Sequence, residues 1–84
     1  MASYLVEGYL ARASVDEPAR TAERARNAAA ELEREGIAVS YVRSFFLPED
    51  ETCFHIFEGA SAAVVGEVTT RARIAFDRIV EVRE

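Results

Sequence analysis

The chain has 84 residues and a formal net charge of −5; half of its residues are apolar, and it contains no tryptophan and no lysine. That length holds one small domain, residues 1–84. The acidic balance excludes general binding to nucleic acid or to anionic membranes, both of which need a basic patch. A single cysteine excludes an intramolecular disulfide and fits a reducing cytoplasm, and no segment has the pattern of a signal peptide or a membrane span.

Ser3 to Leu10 reads as a strand, with Tyr4, Leu5, Val6, Tyr9 and Leu10 as β-formers and Glu7-Gly8 as an interruption. Ala11 to Val15 is a loop. Ser14-Val15-Asp16-Glu17 has the spacing of a capping box, with Asp16 as a competing cap and Pro18 suited to a first turn. The helix that follows runs to about Glu35, where Gly36 is a left-handed terminator. Its buried stripe is Ala22, Ala25, Ala29 and Leu32, and its charged face reads as solvated surface, with pairs Glu23–Arg26 and Glu31–Arg34.

A second strand spans Val39 to Phe46. The polar turn Leu47-Pro48-Glu49-Asp50-Glu51 sends a third strand, Thr52 to Glu58, back antiparallel. Ser61 caps a second helix from Ala62 to about Arg73, which Gly66, Thr69 and Thr70 weaken, and Arg78 to Val82 is the last strand. The order β-α-β-β-α-β predicts an α+β, ferredoxin-like sandwich: a four-stranded antiparallel sheet with two helices on one face. An alanine-rich core buries little area, so a homodimer is expected.

Alternation along the strands puts Val42, Phe54, Ile56, Val80 and Val82 under the helices. The opposite, open face then carries Leu5, Glu7, Tyr9, Tyr41, Arg43, Phe45, Cys53, His55, Phe57, Ile79 and Glu81. The only cysteine and the only histidine, Cys53 and His55, are two residues apart and share a face. In the usual strand order of this fold, 4-1-3-2, His55 neighbours Glu7 and Arg43, and Glu81 neighbours Glu7. His55, Glu7, Glu81 and Cys53 are accordingly the candidate metal ligands, since histidine with carboxylates suits nickel, zinc, manganese or iron. Arg43 is the candidate anchor for an anionic group, with Tyr9, Tyr41 and Phe57 as ligand-binding walls. One cysteine and one histidine cannot close a structural zinc site, and there is no G-x-G-x-x-G, P-loop, C-x-x-C or H-E-x-x-H motif.

Several stretches resemble the small bacterial nickel-binding-protein-like family, a domain of unknown function. They are Tyr4-Leu5-Val6-Glu7 with Tyr9-Leu10; Val42-Arg43-Ser44; Pro48-Glu49-Asp50-Glu51-Thr52-Cys53-Phe54; Phe57-Glu58; and Phe76-Asp77-Arg78-Ile79-Val80-Glu81. The resemblance spans nearly the whole chain. It implies a fold related to the dimeric α/β-barrel proteins, a dimer formed through the sheets, and nickel as a ligand. The chain departs from the family pattern at Ala11-Arg12, at Ala62-Ala63-Val64-Val65, and at Arg73-Ile74-Ala75-Phe76, where a Gly and a Pro normally stop the second helix.

The expectation is therefore a cytoplasmic homodimer that binds a small ligand or a metal, nickel or another divalent cation, on its open sheet face. One rival is a cofactor-independent cavity enzyme of oxygenase, isomerase or cyclase type, with His55 or Glu7 as acid or base. The other is a plain protein-interaction module.

Overall fold

The computed structural model describes residues 1–83. Strand β1 (Ala2–Tyr9) leads into helix α1 (Glu17–Arg34), then strands β2 (Val39–Leu47) and β3 (Thr52–Gly59), helix α2 (Ala62–Ala72) and strand β4 (Arg78–Val82). The strands form one antiparallel sheet in the order β2-β3-β1-β4, with both helices on one side, as the element order predicts. Among the described residues no helix is long and apolar enough to cross a membrane.

Local chemistry explains the helix ends. Pro18 occupies the first turn of α1, where a missing N–H costs nothing. Asp16 is the N-cap but makes no side-chain cap bond, so the Ser14–Glu17 capping box is not formed. At the other end, Gly36 has φ +88, and the amides of Gly36 and Ile37 bond back to Glu33 and Leu32 in a Schellman closure. Helix α2 begins with the Ser61 hydroxyl accepting from the Val64 amide at 3.2 Å. It ends in the same closure, with Ile74 N donating to Thr69 O, but Arg73 holds the left-handed position at φ 55 and ψ 47. The helix thus stops on time without glycine, at some conformational cost to Arg73.

The assignment of sheet faces from alternation holds for Leu5, Glu7 and Tyr9 of β1 and for Arg43 and Phe45 of β2, and is inverted for Tyr41 and for β3 and β4. Tyr4, Val6, Val39 and Phe57 pack against Ala25, Ala29, Leu32, Val65 and Val68 in the core beneath the helices. Registry places Val6 opposite His55 and Gly8 opposite Cys53, so Cys53, His55 and Phe57 lie on the covered face. Leu5, Glu7, Phe54 and Ile56 lie on the open face, with Val80 and Val82 beside them. The physical reason is that both alternate sets of β3 are apolar enough to be buried, so periodicity alone does not choose between them. His55 is admitted to the interior because its ring finds partners there.

Strand β2 carries a second surprise. The ladder to β3 slips between Tyr41 and Arg43, leaving Val42 as a bulge. Tyr41 therefore faces the helices and Arg43 the open side, although they are two residues apart. After the bulge the parity is reset: Ser44 stands opposite His55 on the covered face, and Phe45 stands opposite Phe54 on the open one.

Gly8 has a packing reason. A Cβ built there would lie 2.6 Å from the Ala75 carbonyl oxygen, so only glycine lets the segment before β4 cross β1 so closely.

Candidate functional site

Strand β3 begins beneath the N-terminal half of α1, and it carries Cys53 and His55 there. Both are buried, with 5% and 2% of their surface exposed. The His55 ring is bonded at both nitrogens. Nδ1 lies 2.5 Å from Ser44 Oγ, and Nε2 lies 3.6 Å from Cys53 Sγ. Ser44 Oγ is in turn 2.7 Å from the Tyr41 hydroxyl. A continuous chain, Tyr41–Ser44–His55–Cys53, thus runs across the covered face of β2 and β3.

Two clefts flank this chain. The first, of about 250 Å³, is lined by Val6, Gly8, Thr21, Arg24, Cys53 and His55, and is closed on one side by Arg73, Ile74 and Ala75. The second, of about 350 Å³, is lined by Tyr41, Ser44, Phe46, Arg26 and, again, Cys53. Arg24 is fixed at the first cleft: its Nε donates to Ala72 O at 2.9 Å, and its other nitrogens reach Glu17 and Thr21. Arg26 lies over the Tyr41 ring, 5.0 Å from its centroid. The charged face of α1 is solvated as expected at Glu23, Arg26, Glu31 and Arg34, while half-buried Arg24 forms a wall of the first cleft.

Burial and charge set the protonation states. Removal from water, and secondarily the positive charge of Arg24, push the His55 pKa down to about 4. The Cys53 thiol is pushed up by burial, against a smaller opposing effect of the Phe54 backbone amide. At neutral pH the pair is a neutral imidazole and a protonated thiol. A protonated thiol is a poor nucleophile, and an imidazole this acidic is a poor base at neutral pH. What the pair offers instead is a nitrogen and a sulfur donor side by side.

The expected ligand set does not assemble. Glu7 faces the open side, where its carboxylate pairs with Arg78 at 2.8 Å, not with His55 or Arg43. Glu81 stands opposite Tyr4 on edge strand β4 and pairs with Arg83 at 2.8 Å. Arg43 lies opposite Ile56 on the open face, and Tyr9 is largely exposed, its hydroxyl donating to Glu51 at 3.4 Å. Tyr41 and Phe57 are both on the covered side, and their rings meet edge to face at 5.8 Å. Of the four proposed metal ligands only Cys53 and His55 are brought together. Among the described residues no group of three or more His, Cys, Asp or Glu side chains could hold a metal ion.

The pair still fits a soft or borderline metal. Bonds of ~2.3 Å to sulfur and ~2.05 Å to nitrogen at a tetrahedral angle separate the two donors by about 3.6 Å. The observed Sγ–Nε2 distance is 3.6 Å. Further donors would come from water, a small ligand or a second chain. Alternation alone did not reveal Ser44 or Arg24. The first depends on the bulge, and the second on a helix residue whose stem crosses to α2.

Known proteins share the family pattern and the fold. The model of a family described as "Nickel responsive protein SCO4226-like" matches residues 4–82. The structure titled "Crystal structure analysis of SCO4226 from Streptomyces coelicolor A3(2)" superposes with a TM-score of 0.73 at 24% identity, covering 96% of this chain and 95% of that one. At that identity the likeness establishes the fold alone. No curated protein matches the chain.

Proposed function

This chain belongs to the SCO4226-like family of nickel responsive proteins, and on that premise we propose that it binds a thiophilic divalent cation, nickel foremost, through Cys53 and His55. The observation that carries the reading is the 3.6 Å separation of Cys53 Sγ and His55 Nε2 at the base of a cleft. Imidazole and thiolate together suit nickel, copper or zinc better than magnesium or calcium. Binding requires the thiol to lose its proton, which the cation's charge would drive. The test is calorimetric titration of tag-free protein with nickel. One ion per chain is expected, with binding lost in Cys53→Ala and His55→Gln and retained in Glu7→Gln. Absence of heat in the parent protein, or unchanged affinity in Cys53→Ala, overturns the reading.

The proposal includes a homodimer in which a second copy covers the open sheet face. Leu5, Phe54, Ile56 and Val80 form an apolar surface there, and Phe45 stacks on Phe54 with ring centroids 5.1 Å apart. A surface of this kind favours burial. Glu7 lies within it already paired with Arg78, so covering that carboxylate would not leave it without a counter-charge. Sedimentation of the parent protein is expected to give the dimer mass, and Phe54→Glu the monomer mass with the fold retained. A parent protein that sediments as a monomer at micromolar concentration rules out this part of the proposal.

A further inference from the structure

The bulge at Val42 does more than bend β2. Without it, strict alternation from Tyr41 would put Arg43 and Phe45 under the helices and turn Ser44 outward. With it, Tyr41 and Ser44 share one face three residues apart, and Ser44 stands directly across from His55. The extra residue thus assembles the hydroxyl pair next to the imidazole. Bulges often re-aim side chains beside functional sites in this way.

A neutral imidazole carries one proton, and its two nitrogens here meet different partners. On the Nδ1 side is a hydroxyl, Ser44 Oγ, which both accepts and donates. On the Nε2 side is a buried thiol hydrogen-bonded to Nε2, and its S–H is accepted there when Nε2 keeps its lone pair. With the proton on Nδ1 every hydrogen has a place. Nδ1–H donates to Ser44, Ser44 O–H donates to the Tyr41 oxygen, and the Tyr41 hydroxyl hydrogen is left free to turn toward the second cleft, which Tyr41 lines.

We propose that Ser44, braced by Tyr41, is a positioning residue that holds His55 as its Nδ1–H tautomer, so that Nε2 presents a lone pair beside Cys53 to an incoming soft cation. The inference rests on the cation-binding reading above for its purpose, but not for its geometry. Hydrogen-bond partners of ligating histidines commonly fix the tautomer in this way, and losing one weakens metal affinity by roughly 10–100-fold.

The test reads the tautomer directly. Long-range proton–nitrogen correlation spectra of the metal-free, nitrogen-15-labelled protein are expected to show His55 protonated at Nδ1. Ser44→Ala is expected to populate the Nε2–H form and to weaken nickel binding by about 10–100-fold. Ser44→Thr keeps the hydroxyl and is expected to restore both, and Tyr41→Phe to cause a smaller shift in the same direction. An Nε2–H tautomer in the parent protein overturns the inference, as does an unchanged tautomer in Ser44→Ala. If the tautomer switches as expected but the parent protein takes up no nickel, the cation assignment falls and the positioning role of Ser44 stands.

Discussion

Lowering the pH from 7 to 4 is expected to remove about 3 kcal/mol of stability from the metal-free protein through His55 alone. The folded pKa of His55 is about 4, because burial and the nearby Arg24 charge oppose protonation. In the unfolded chain the ring titrates near ~6.5. Between those values the unfolded state binds more protons than the folded state, so stability rises with pH across this window. The contribution is fully present above the unfolded pKa and is lost as the pH falls toward the folded one. Most carboxylates titrate lower, so the upper part of the window belongs largely to His55. Urea midpoints measured at intervals between pH 7 and 4 give the slope, and His55→Gln should flatten it. A parent protein equally stable at pH 7 and 4.5 would show that the ring is not held neutral in the interior.

Phe57→Ala is expected to cost about 3–5 kcal/mol, the usual loss when a fully buried aromatic is truncated in a core that only partly relaxes. Phe57 is completely inaccessible to solvent, touches Tyr41 edge to face, and belongs to the cluster that joins the sheet to both helices. A small domain has only about 5–15 kcal/mol in total, so the variant should lose a large fraction of its stability. The result also decides the face. Were Phe57 on the open side, truncation would chiefly affect association and would leave the stability of the monomer nearly intact. A loss below about 1 kcal/mol in the monomer would move Phe57, and Cys53 and His55 with it, to the open face.

The architecture was legible because its signals are local. Pro18 and Gly36 mark the ends of α1, Ser61 opens α2, and the Pro48 turn forces β2 and β3 to run antiparallel. The element order then selects the topology. The face of β1 was legible, but that of β3 was not, because β3 alternates one apolar set, Cys53, His55 and Phe57, with another, Phe54 and Ile56. Which set is buried depends on what Ser44 and the helices offer to His55, and that is tertiary information. The bulge at Val42 hid Ser44 for a similar reason, since no glycine or proline announces it. The pairing of Cys53 with His55 survived because two residues on one strand share a face whichever face it is. Glu7 and Glu81 fell away from the site because the sheet face that carries Glu7 is not the face that carries His55, and Glu81 sits on the edge strand with its own arginine.

The central claim, that Cys53 and His55 are the ligands of a thiophilic cation, is tested most directly by X-ray absorption at the nickel edge of tag-free, nickel-loaded protein. A first shell containing one sulfur and at least one imidazole is predicted, with the sulfur absent in Cys53→Ala. A shell of oxygen and nitrogen only in the parent protein would contradict the account and move the nickel to some other surface of the molecule.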